Sequence, residues 1–154
     1  MKKLLRPALY VVLMLSAILC LSAPAESGVT ELGLVTGRMF DGTPVKIDNM
    51  GSIGLEQYQG AIFENINMQI DAVAADISLS DNRFNDSLGV IITLEYADFE
   101  VVNMPITAHN SREINGALKW FSIPIKKTVA RIKLTGGGTN VATYVWHIKL
   151  KTAN

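Results

Sequence analysis

The side chains able to do acid–base or nucleophilic chemistry are few: two histidines, His109 and His147, and one cysteine, Cys20. A catalytic site needs converging acid, base or nucleophile groups. No serine sits in the strand-turn-helix setting of a nucleophile elbow. Glu95, Asp98 and Glu100 could be assembled into a carboxylate pair for glycoside hydrolysis, but acids in and just after a strand are ordinarily solvated. No enzymatic activity is expected from this supply. Asp81, Asn82, Asn85 and Asp86 offer the clustered carboxylate and amide oxygens that calcium prefers, yet their spacing matches no EF-hand loop. Turn formation is the expected role of these four, and no metal site or cofactor is read elsewhere. Gly136-Gly137-Gly138 lacks the Lys-Ser/Thr pair and following helix of a phosphate loop, so a hairpin tip is expected there.

Recognition of a sugar asks for different groups: an aromatic ring to stack on apolar C–H patches, and planar polar side chains to bond hydroxyls. Trp120, His109, Asn110, Arg112 and His147 are the ligand-binding candidates. Trp146 and Tyr144 alternate with Val145 and His147 and share a face with Ile148 and Leu150. That phase sends Trp146 into the core. Trp120 shares a face with Leu118, Ser122 and Pro124, against Phe121, Ile123 and Ile125, and the pattern leaves open which side is buried.

The first 25 residues give an address. A basic start (Lys2, Lys3, Arg6), an apolar run from Ala8 to Leu21 and Ala23-Pro24-Ala25 predict a secretory signal peptide over 1–25, cleaved before Glu26. The run has 14 residues, short of the roughly 20 of a spanning helix, so no membrane span is expected after cleavage. The exported product, 26–154, is expected in a periplasm or outside the cell. It keeps 11 bases and 14 acids, net −3, and no cysteine. That excludes a disulfide framework and a thiol nucleophile, and it argues against a nucleic-acid partner, whose phosphates need a basic footprint.

Period-2 alternation dominates 26–154. Val90, Ile92, Leu94 and Tyr96 alternate with Ile91, Thr93 and Glu95, and Ile62, Ile66, Met68 and Ile70 are expected on one face of a second strand, 62–72. Further strands are predicted over 32–36, 75–80, 99–106, 118–125, 129–135 and 142–151, about eight in all. Residues 81–87 and 109–116 read as surface loops, and 135–140 as a hairpin turn. No long helical stripe and no linker divides the segment. One all-β domain is predicted, an antiparallel β-sandwich of jelly-roll topology, with a closed barrel as the alternative.

In the last third, Trp120-Phe121-Ser122-Ile123-Pro124-Ile125, then Ala130-Arg131-Ile132-Lys133-Leu134, a glycine turn, and Tyr144-Val145-Trp146-His147-Ile148-Lys149-Leu150 follow in order. This succession resembles the closing strands of galactose-binding-like jelly-roll domains, an architecture shared by discoidin-type and many carbohydrate-binding modules. The resemblance covers about 35 residues. It implies a jelly roll with a carbohydrate or other surface polymer as partner. The discoidin type usually ties its first and last strands by a disulfide, which 26–154 lacks.

Charge is split along the chain. Residues 26–100 hold 13 acids and three bases, whereas 101–154 hold one acid and eight bases. Early and late strands interleaved in a sandwich would neutralise one another across strands. Segregated, they would make two poles suited to self-association or a protein partner. Two functions are therefore carried forward: a binding module for carbohydrate or another surface polymer, and an envelope structural or interaction protein. An exposed Trp120 favours the first. A long unpaired edge strand, or a detached segment 26–36, favours the second.

Overall fold

The structure, a computed structural model, describes residues 28–32, 36–47, 52–80, 88–138 and 142–152. The predicted signal peptide and the Asp81, Asn82, Asn85, Asp86 cluster lie outside the described residues.

Among the described residues every element is a strand: β1 (Val29–Glu31), β2 (Gly37–Met39), β3 (Pro44–Val45), β4 (Ile53–Leu55), β5 (Gly60–Phe63), β6 (Met68–Leu79), β7 (Leu88–Tyr96), β8 (Val101–Thr107), β9 (Trp120–Ser122), β10 (Thr128–Gly136) and β11 (Thr143–Thr152). The pairing, antiparallel throughout, sorts the last eight into two layers. One runs β4-β11-β6-β9 and the other β5-β10-β7-β8. Successive strands alternate between layers except at the β7–β8 hairpin, which is the strand order of a jelly roll. The two layers are joined at one corner, where Thr128 and Val129 of β10 pair with Gln69 and Met68 of β6. The expected antiparallel sandwich is therefore present. Beyond the eight, β1 lies on β11 and the β2–β3 hairpin extends the second layer from β5.

The core follows the alternation where the strands are regular. Val90, Ile92, Leu94 and Tyr96 of β7 are buried and pack with Ile132 and Leu134 of β10, against Val73, Ala75, Ile77, Ile148 and Leu150 from the other layer. Burying a side chain of this size contributes about 1.5–3 kcal/mol, so these facing rows hold the layers together.

Where expectations fail, the reason is local. The predicted strand 62–72 is two strands, because Asn65 (φ 60°) and Asn67 (φ 47°) turn the chain in the left-handed region that Asn tolerates. Phase does not carry across that turn, so Phe63 rather than Ile62 fills the core. The predicted strand 32–36 lies largely outside the described residues, which resume at Thr36 just before β2. The glycine segment does not join two paired strands: among the described residues β10 pairs with β5, β6 and β7 while β11 pairs with β1, β4 and β6. The two strands lie in different layers, and Gly136 is needed at the end of β10 because a Cβ would meet the Glu56 carbonyl oxygen at 2.2 Å. Finally, Trp146 is not core. β11 has one more residue than β6 between the pairs Val145↔Ile77 and His147↔Asp76, and this β-bulge turns Trp146 outward.

Candidate functional site

The outward face of the first layer carries the site. On β6 the inward residues are Val73, Ala75 and Ile77, so Ala72, Ala74, Asp76 and Ser78 face out. Register then places partners beside them: Trp120 on β9 next to Ala74, His147 next to Asp76, Lys149 next to Ala74, and Tyr144 next to Ser78. Small side chains on β6 make a low floor, flanked by taller ones from β9 and β11. Ala74 belongs to this face yet has no accessible surface, because its neighbours close over it.

Three aromatic rings stand on this face: Trp120 (38% exposed), Tyr144 (38%) and Trp146 (43%). The Trp146 indole N–H donates to Ser78 Oγ at 2.9 Å, which draws the ring from β11 across β6. Tyr144 leans the other way, over Gly54 of β4, where an added Cβ would lie 3.3 Å from the Tyr144 ring. Between the tryptophans the face is polar. Arg112 Nη2 donates to Asp76 Oδ1 at 2.5 Å, Lys149 Nζ lies 3.3 Å from Glu31, and His147 Nδ1 lies 3.9 Å from the same carboxylate.

The β8–β9 connection, expected as a loop, is a small hairpin. Glu113 N–H donates to Ala117 O, Lys119 N–H to Ser111 O and Gly116 N–H to Glu113 O, with Gly116 in the left-handed region (φ 82°). A turn closed by a left-handed glycine is a common way to end so short a hairpin. Its base is fixed by Asn110, whose Oδ1 accepts from Thr107 N–H while its own N–H donates to Thr107 Oγ1. The side-chain NH2 is what Asn110 retains for a ligand. His109, Asn110, Arg112 and Lys119, with the fully exposed Ile114, line an open hollow of about 710 Å³.

The five candidates thus fall in one neighbourhood. His109, Asn110 and Arg112 line the hollow, and Arg112 reaches Asp76, whose register partner is His147. Trp120 stands two residues along β6, at Ala74. Sequence reasoning missed Asp76, Ser78 and the outward turn of Trp146 and Tyr144. The bulge responsible leaves no trace in alternation; Asn115-Gly116, a turn signal, was the available clue to the β8–β9 hairpin. The other acids weighed are committed to cations: Glu95 to Arg131 and Lys133, Asp98 and Glu100 to Lys127.

No family model matches the chain, and no curated protein matches it. Among solved structures it is similar to CpGH89CBM32-6 produced by Clostridium perfringens, with TM-score 0.46 and 11% identity over 88% of this chain and 98% of that one. It is also similar to a family two carbohydrate esterase from Cellvibrio japonicus, with TM-score 0.42 and 11% identity, over 83% of this chain and 34% of that one. Likenesses this remote carry no functional argument, which rests on the face itself.

Proposed function

We propose that this chain is an exported, non-catalytic module that binds carbohydrate or another cell-surface polymer through the outward face of the first layer. The observation that carries the reading is the placement of Trp120, Trp146 and Tyr144, all exposed, on one sheet face around the Arg112–Asp76 pair and His147. Large rings left in water on a polar sheet face are a cost to solubility that a stacking role explains. The guanidinium, carboxylate and imidazole supply donors and acceptors for hydroxyls at the level of the rings.

The test is titration of the purified protein with soluble polysaccharides, followed by tryptophan fluorescence and repeated with Trp120→Ala. Saturable binding that this folded variant loses supports the module. Absence of binding across the panel, with unchanged emission, overturns it. Export is checked on the same preparation: sequencing from the N-terminus is expected to start at Glu26.

A further inference from the structure

We infer that the face takes an extended, uncharged glycan chain lying along β6, with one sugar on Trp120, another on Trp146 and the intervening stretch over Asp76. This rests on the proposed function and narrows its ligand to interior chain segments rather than single sugars or chain ends.

Spacing is the first support. Trp120 stands beside Ala74, while the Trp146 indole is anchored at Ser78, four residues further along the same strand. Four residues of strand span about 13 Å. One pyranose ring stacks on one indole, so a single sugar meets one tryptophan and leaves the other empty. Asp76, midway between them, carries Arg112 and neighbours His147, so the order along the strand is ring, hydrogen-bonding centre, ring. Above the short side chains of Ala74, Asp76 and Ser78 lie the groups anchored on them, the Arg112 guanidinium at Asp76 and the Trp146 ring at Ser78, so a chain along β6 meets these in turn.

Charge is the second support. Arg112 is paired with Asp76, and Lys149 and His147 face Glu31. Arg112 and Lys149, the cations beside Asp76 and Ala74, each have a carboxylate next to them, so a polyanion there would meet Asp76 and Glu31 as well as the bases. Hydroxyls, which both donate and accept, fit such paired groups without displacing them.

Calorimetric titration of the full purified protein with β-1,4-linked gluco-, xylo- and manno-oligosaccharides and β-1,3-linked gluco-oligosaccharides, from one to eight sugars, tests this. In at least one series affinity is expected to climb with length until both rings are covered, by about tenfold or more over the single sugar. Trp146→Ala and Trp120→Ala should each abolish that climb while leaving the weak binding of short members. Trp146→Phe keeps a ring without the N–H and should retain part of it, which separates stacking from loss of fold. A monosaccharide bound as tightly as the octamer overturns the inference but leaves the module standing. Tighter binding of oligogalacturonate than of every neutral series overturns the uncharged ligand. No binding to any member overturns both.

Discussion

Lys127 shows how single side chains set conditions for the fold. Its ammonium donates to Asp98 at 2.5 Å and approaches Glu100 at 2.7 Å, bridging the β7–β8 turn to the segment before β10. The hydrogen bond from Lys127 holds the Asp98 carboxyl below its ordinary value of 3.8, and the bonds to Asp98 and Glu100 raise Lys127 above 10.5. A carboxyl depressed in the folded state stabilises above its unfolded value and loses that contribution as pH falls through the folded one. Lys127→Met should therefore be less stable than the parent near neutral pH, with the difference shrinking below 3.8. Urea melts across that range measure it, and a difference that persists in acid would contradict the linkage. Beside it Phe99 is held at φ 68° and is 90% exposed. Left-handed backbone costs a side-chain-bearing residue about 1–2 kcal/mol, part of which glycine returns through its freer unfolded chain. Phe99→Gly is expected to stabilise by roughly 0.5–1 kcal/mol, raising the thermal midpoint by a few degrees. Neither shows in the sequence: the strain comes with the turn that the Phe99 N–H closes on Tyr96 O, and the ion pair with the approach of that turn to Lys127.

Strands were legible where one face is buried and the pairing is regular. β7 and β10 satisfy alternation along almost their whole length, and their predicted extents stand within a residue or two of the observed ones. Short elements escaped: β2, β3 and β4 have two or three residues each, too few for a period to register. Bulges were the other failure, and β11 shows why. Thr143 and Val145 are buried, then Ile148 and Leu150, so inward residues change phase between Val145 and Ile148. Every residue there suits a strand, and only the partner's register reveals the extra one. This makes a test at the level of the element. Deleting Trp146 leaves Val145 and Ile148 separated by one outward residue, so the ladder to β6 can run without a shift. The deletion should fold, at a cost of no more than about 2 kcal/mol, while losing the ligand response. Deleting Tyr144 instead puts Thr143 and Val145 out of phase and should cost about 3 kcal/mol or more. Denaturant unfolding of both deletions distinguishes a bulge from a general tolerance of β11 to shortening.

At the scale of the whole molecule the charge split and the edges bear on one question, whether copies of this chain assemble. Six bases from the later part of the chain meet acids from the earlier part: Arg112 with Asp76, Lys126 with Asp71, Lys127 with Asp98, Arg131 and Lys133 with Glu95, and Lys149 with Glu31. Jelly-roll strand order puts late strands β10 and β11 between early ones, so among the described residues the split along the sequence becomes mixing in space. β1 pairs with β11, so the described residues before 32 belong to the sandwich rather than hanging from it. Among the described residues the outer strands β1, β3, β4 and β9 have three residues or fewer, and the one long edge, β8, carries Pro105, which has no N–H to offer a neighbour. Asn110 occupies a further donor of β8 by accepting from Thr107 N–H. The protein is therefore expected to sediment as a monomer over a hundredfold range of concentration. Pro105→Val restores a donor and a strand-forming side chain on that edge, and should bring mass that rises with concentration while the wild type stays constant. Wild-type mass that rises over the same range would return the envelope-assembly role to first place, and with it the need to find which surface the copies share.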